Sequence, residues 1–307
     1  VPVGEQKGQA LKWYAKIFEG IINIWKWWNI KYAIPGMMRK IFRLTEEQGM
    51  KFDLQIINGD VIESEYNERG MIVELDCLAL RDVLYSIPSG VGLRETYVVP
   101  GDHELGYRLA LSTDPKGGIS GESLDSFFHV IGPLWQTFVA GGIHFITLSS
   151  SLMMQKLDHL PLKEQSEIKD FRLKQEVFIQ RTLEQIPEGK TVFVFLHDPD
   201  AISKFDEYIR DYYYMHNKNI KVFCGHMHAE WSLDVYRKLG NMALSKRANL
   251  LPGKIHKWAK GNRSRLKLFE KYQLQIVPAP GGMMGLGGGF LILTIHNAKF
   301  RIDRYKV

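Results

Sequence analysis

Residues 190–198 read KTVFVFLHD and residues 220–228 read IKVFCGHMH. Both begin as short apolar runs rich in β-branched and aromatic side chains and read as strands. Both run directly into histidine: His197 in the first, and His226 and His228 after Gly225 in the second. Two earlier stretches have the same form with carboxylates. Residues 52–60, FDLQIINGD, end on Gly59-Asp60, and residues 95–104, ETYVVPGDHE, end on Gly101-Asp102-His103-Glu104. Four apolar strands therefore each deliver an acid or an imidazole at their carboxyl end, where ligands collect in open α/β sheets.

Working outward, residues 143–148 (IHFITL) read as a further strand, and residues 70–88 and 162–186 as helices. Residues 8–30 form a helical pattern with one polar stripe, Lys12, Lys16, Glu19, Asn23 and Lys26, at steps of four and three. Its other face is wide and aromatic, with Trp13, Tyr14, Phe18, Trp25 and Trp28; Pro35-Gly36 breaks the pattern, and a second helix is expected over 37–49. Residues 273–277, 290–295 and 299–305 read as antiparallel strands. Helices and strands in alternation, followed by a β-rich end, predict an α/β layered architecture.

Composition narrows the class. With 45% hydrophobic and 24% charged residues in 307, the chain has an ordinary globular make-up and enough length for a sizeable core. Cys77 and Cys224 cannot build a disulfide framework, so a reducing, cytoplasmic compartment is expected. No apolar run reaches the roughly 18 residues of a spanning helix. The net charge of +6 is uneven: residues 235–271 hold 11 Lys and Arg against the single acid Glu270, while the remainder carries 29 basic against 33 acidic residues. A mildly acidic body thus carries one basic segment, directly after the histidine pair of 226 and 228.

The four strand-end clusters mean more together than singly. A lone His in a loop is usually a surface or core residue, and an Asp after Gly is usually a turn residue. Carboxylate and imidazole donors combined suit Zn, Mn or Fe rather than Ca, which takes oxygen ligands alone, or structural Zn, which favours cysteine.

The series G-D-x-x-E (59–63), G-D-H-E (101–104), His197 and G-H-x-H (225–228), in this order and spacing, resembles the calcineurin-like metallophosphoesterase superfamily. So does the stretch FRLKQEVFIQRTLEQ before KTVFVFLHDP. The resemblance runs from about residue 52 to the end. It implies a sandwich of two mixed β-sheets flanked by helices, in a single domain over 1–307 with a helical insertion at 8–49 and a basic insertion at 235–271. It implies two divalent transition metals (Mn, Fe or Zn) and hydrolysis of a phosphomonoester or phosphodiester by metal-activated water. By position, Asp60 would bridge the metals, Asp102, His197 and His226 would bind the second, and His228 the first. His103 would protonate the leaving oxygen, with Glu104 steadying it, and Glu63 would support its loop.

Two departures from the family pattern stand out. Asp102 occupies the place of the usual Asn and adds a negative charge. No D-x-H precedes Asp60, and residues 1–59 contain no His. Two readings follow: the chain begins just after the missing motif, without the first strand, or it is a degenerate, one-metal or metal-free relative that binds partners.

Other features have paired readings. Asp198 either orients an imidazole from behind or is a solvated loop acid. The aromatic face of 8–30 either packs on protein or meets a membrane interface, which would make the protein membrane-peripheral. The basic segment is either a solvated insertion or draws an anionic phosphate ester toward the metals; its interleaved Trp258 and Phe269 also suit anionic lipid and, less well, nucleic acid. The run GGMMGLGGG (281–289) lacks the Lys-Ser/Thr of a phosphate loop and is expected to be a hairpin loop.

Overall fold

The computed structural model describes residues 43, 46–49, 51–60, 95–105, 119–154, 157, 160, 162–216, 219–226, 234, 238, 264–278 and 289–306, with the side chains of 211–216 excepted. The expected helices at 8–30 and 70–88, together with Glu63, Cys77, His228, Trp258 and most of the basic segment, lie outside these residues. Of the helix expected at 37–49, residues 43, 46 and 47 are helical, followed by a turn at 48–49.

The class is α/β. In chain order the elements are β1 (Leu54–Asn58), β2 (Glu95–Val99), α1 (Gly121–Val130), β3 (Gln136–Ala140), β4 (Ile143–Leu148), α2 (Ser150–Met154), α3 (Leu162–Gln185), β5 (Thr191–Leu196), α4 (Ile202–His216), β6 (Asn219–Cys224), β7 (Gln275–Ile276), β8 (Gly289–His296) and β9 (Lys299–Lys306). A 3-10 turn, Pro199–Ala201, leads into α4, and residues 264–271 are helical before β7.

The centre is a five-stranded mixed sheet in the order β3-β4-β5-β6-β7. β3 is antiparallel to β4, and β4 to β7 run parallel. The alternation of β5 explains its double burial. Val192, Val194 and Leu196 face a layer of helices through Ile179, Leu183, Phe205, Ile209 and Tyr272. Phe193 and Phe195 face the other way, into a layer made by β1–β2 and the β8–β9 hairpin. That second layer consists of two separate pairs, one parallel and one antiparallel. Aromatic rings fill the space between the layers: Tyr97 stacks on Phe138 at 3.8 Å between centroids, Phe195 stacks on Phe223 at 4.8 Å, and Phe300 meets Phe193 edge-on at 4.9 Å. The outer side of β1–β2 is covered in turn by α1 and α3, through Val98, Leu124, Phe127 and Ile168.

One expectation is corrected. The strand expected at 273–277 is shorter, and β7 is parallel to β6 rather than part of an antiparallel set. The cause is the helix at 264–271: a strand–helix–strand connection returns the chain in the same direction. β3 was not anticipated, although Gly141-Gly142 between it and β4 is a hairpin signal, and both glycines take positive φ. No helix among the described residues is long and apolar enough to cross a membrane.

Phe193 touches Phe145, Phe223 and Phe300 and has no exposed surface. Phe193→Ala is expected to lower unfolding stability by about 3–5 kcal/mol, read as a lower midpoint in chemical denaturation. A change under about 1 kcal/mol would mean that the layers do not meet through this residue.

Candidate metal centre

The ladder registers place the site. Leu196 of β5 lies opposite Cys224 of β6, and Asn58 of β1 opposite Val99 of β2. The four strands therefore end together, and the next residues bring Asp60, Asp102, His197 and His226 to one point. One donor atom from each lies within 4.8 Å of all the others, so the group can hold a metal ion. Opposite ligands around a cation with bonds of about 2.1 Å are about 4.2 Å apart, so small movements suffice to close the set.

His197 is at the middle. Its Nε2 lies 2.9 Å from Asp60 Oδ2 and 3.0 Å from Asp102 Oδ1. Its Nδ1 lies 2.8 Å from the carbonyl oxygen of Asn58, so Nδ1 carries the proton that bonds there, and Nε2 faces the carboxylates. His226 Nδ1 lies 3.2 Å from Asp102 Oδ1 and 3.3 Å from His197 Nε2. Asp102 is buried, and its Oδ2 has no hydrogen-bond partner. A buried carboxylate oxygen without a partner is costly, and a cation is one group that would satisfy it. Two carboxylates with two imidazoles form a donor set for Mn, Fe or Zn.

Backbone conformation at the strand ends depends on glycine. Gly59 has φ +78°, and a Cβ there would overlap the His197 ring and Gly101 Cα. A Cβ on Gly225 would strike the Asn58 carbonyl oxygen. Asp60 and His226 themselves take positive φ, 52° and 43°, a conformation uncommon outside glycine.

Glu104 is fully buried, and its Oε2 accepts from the Gly101 N–H at 2.9 Å and the Asp60 N–H at 3.0 Å. These bonds join the two strand ends that carry Asp60 and Asp102. The His103 N–H bonds Asp60 Oδ1 at 3.3 Å, which places His103 beside the cluster. Asp198 has its own occupation: its Oδ1 caps the 3-10 turn through the Asp200 N–H at 2.8 Å. Cys224 is buried in β6 next to the site, and burial pushes its thiol well above its usual range. Sequence reasoning missed Asn58, whose signal was a polar residue closing an apolar strand two places before the ligand.

The charges are interdependent. Burial works to raise the Asp102 carboxyl, but its bonds to His197 and His226 prevail and hold it down to about 2. Burial works to lower the His197 imidazole, but the Asp60 charge and bonds to Asp102 and Asp60 hold it well above its usual value. His226 is likewise raised, because its bond to Asp102 outweighs burial. Among the cations of the basic segment, Arg265 pairs with Asp200 at 2.8 Å and Lys271 with Asp206 at 2.5 Å.

No protein-family model and no curated protein matches the chain, so the geometry itself carries the functional argument. Because both imidazoles have raised pKa values, their protonated forms stabilise the cation-free fold fully below the unfolded value near 6.5. That contribution is lost as pH rises through the raised folded values. A metal needs the neutral rings, so it competes with these protons. Mn²⁺ binding is expected to weaken steadily from about pH 8 to about pH 6, with proton release on binding. A dissociation constant independent of pH over that range would remove both histidines from the ligand set. Gly59→Ala, which forces a methyl against the His197 ring, is expected to weaken Mn²⁺ binding at least about tenfold; unchanged binding by calorimetry would contradict the close approach.

Proposed function

We propose that the chain is a metal-dependent phosphoesterase that hydrolyses a phosphomonoester or phosphodiester. The observation that supports this most directly is the meeting of two carboxylates and two imidazoles at the ends of two parallel strand pairs, with His197 fixed through its far nitrogen. The motif series that resembles the calcineurin-like metallophosphoesterases points the same way, and with it a sandwich fold of that type.

In this reading Asp60, Asp102, His197 and His226 would hold a divalent cation, and His228 would serve a second, as the motif resemblance implies. When bound, such cations supply Lewis acidity toward the phosphoryl oxygens and acidify water near neutral pH. The protein's residues do the rest. The Asn58 carbonyl keeps the His197 lone pair on the ligand side, and Glu104 holds the Asp60 and Gly101 backbone so that both carboxylates face inward. His103, on the loop beside Asp60, gives its proton to the leaving alkoxide as water attacks phosphorus from the opposite side. General acid catalysis of this kind contributes about 10²–10⁴-fold. No covalent protein intermediate is required.

The test is Mn²⁺-dependent hydrolysis of p-nitrophenyl phosphate and bis-p-nitrophenyl phosphate. His226→Ala is expected to lower the rate by at least about 10²-fold, and His103→Ala, read with an alkyl phosphate whose leaving alkoxide needs the proton, by about 10²-fold or more while keeping metal affinity. Equal rates for His226→Ala and the unaltered chain would overturn the assignment. Tight Mn²⁺ binding without turnover of either ester would make the fold a binding module rather than a hydrolase.

A further inference from the structure

The turn that carries His197 is gripped by groups outside the ligand set. β4 and β5 end in register, with Leu148 opposite Leu196. The second residue beyond each strand, Ser150 and Asp198, therefore lie side by side. The Ser150 hydroxyl accepts the Asp198 N–H at 2.9 Å, and Ser150 has no exposed surface. The carbonyl of the same peptide, that of His197, accepts the Gly225 N–H at 3.0 Å. The peptide joining His197 to Asp198 is thus held at both of its polar groups.

Ser150 is fixed from behind. Its neighbour Ser149 gives its N–H to Gln175 Oε1 at 2.8 Å, and the Ser149 carbonyl accepts from Gln175 Nε2 at 3.2 Å. Ser149 and Gln175 are both fully buried. Gln175 belongs to α3, so a helix on the far face of the sheet anchors the segment that meets the His197 turn. The Ser149 hydroxyl has a different part: it accepts the Leu152 N–H at 3.4 Å, at the start of α2.

We propose that Ser150 is a positioning residue for His197. The inference rests on the metal-centre reading above. The Nδ1 bond to Asn58 fixes one point of the ring, about which the imidazole can still pivot. Holding the following peptide fixes the Cα end as well, and two fixed points set the direction of Nε2. Without the Ser150 hydroxyl, the part-buried Asp198 N–H loses its acceptor, and the turn shifts to find another. The shift moves the one ligand that touches both carboxylates.

The experiment uses the full chain, titrated with Mn²⁺ and, separately, with Co²⁺ to read the visible spectrum of the bound ion. Ser150→Ala is expected to weaken Mn²⁺ binding about tenfold, the lower end for residues that orient a ligand, and to change the Co²⁺ bands. Ser150→Thr, which keeps the hydroxyl, restores most of the affinity. Ser149→Ala removes an equally buried hydroxyl that does not touch the His197 turn; it lowers the denaturation midpoint and leaves affinity and spectrum unchanged. Should Ser150→Ala fail to fold, Ser150→Cys, similar in size and a poorer acceptor, takes its place with the same expectation. Unchanged binding in the folded Ser150 variant overturns the proposal, as does equal weakening by Ser149→Ala. Asp102→Ala separates the two levels. If it abolishes binding while the Ser150 variant does not weaken it, only the positioning role fails. If Asp102→Ala binds Mn²⁺ like the unaltered chain, the metal centre fails and the positioning role with it.

Discussion

The rest of the structure depends on the bond between His197 Nδ1 and the Asn58 carbonyl. His197 ends a strand of the five-stranded sheet, and Asn58 ends a strand of the β1–β2 pair, so this 2.8 Å contact joins the two layers at their carboxyl edge. The ring is fully buried, and it separates a main-chain carbonyl on one side from two carboxylates on the other. Burying such groups is tolerated only when each finds a partner. The imidazole is suited to this, because its two nitrogens point in opposite directions and can play different roles. Layer packing and ligand orientation are therefore one interaction at this edge.

Elsewhere the layers are kept apart by phenylalanine. Facing sheets filled with large side chains sit about 10 Å apart, and the rings of Phe138, Phe145, Phe193, Phe195 and Phe223 supply that filling. At the site the backbones come much closer, which excludes side chains from the contact positions. Gly59, Gly101 and Gly225 occupy those positions, each where an added Cβ would strike a group of the cluster or its support. Glu104 then replaces the missing bulk with hydrogen bonds, tying the Gly101 and Asp60 amides to one carboxylate oxygen. Aromatic spacing inside and glycine contact at the edge together make a wedge-shaped gap that narrows onto the ligands.

This division explains what could be read from the sequence. Strands β1, β2, β4, β5 and β6 were legible from their clustered apolar and β-branched residues, most clearly in β5, which is buried on both faces, and the ligands because they follow those runs directly. The hairpin partner β3 was missed because it is short and opens with the polar pair Gln136-Thr137, and its apolar Val139 faces outward, so no inward apolar alternation stands out. The direction of β7 was hidden because it depends on a helix at 264–271 whose residues read as a basic segment. Asn58 and Ser150 were illegible for another reason. They act through a main-chain carbonyl aimed at the His197 ring and a hydroxyl aimed at a main-chain N–H, and their meaning comes from register across strands, which no local pattern records. Asp198 reads in sequence either as a group behind an imidazole or as a loop acid; its side chain caps the next turn, and its charge helps raise the His226 imidazole.

Register also alters the meaning of the charge. Read along the chain, the basic segment after the histidine pair looks like a surface for anions. Its described end does something more local: Arg265 meets Asp200 in the turn after His197, and Lys271 meets Asp206 in α4, where the Tyr272 hydroxyl also bonds. These pairs are part-exposed, and exposed ion pairs contribute only about 0–1 kcal/mol each, so they do not hold the fold together. Their effect is to fix where the segment rejoins the sheet, since Tyr272 and Leu274 beside them are buried in the helix-side core. Asp200 lies three residues beyond His197, so its pairing with Arg265 offsets an acid in the turn next to the site. A cluster built to attract a cation and then a phosphate works against itself if its surroundings stay acidic. Pairing Asp200 with Arg265 therefore balances one acid in the turn that follows His197.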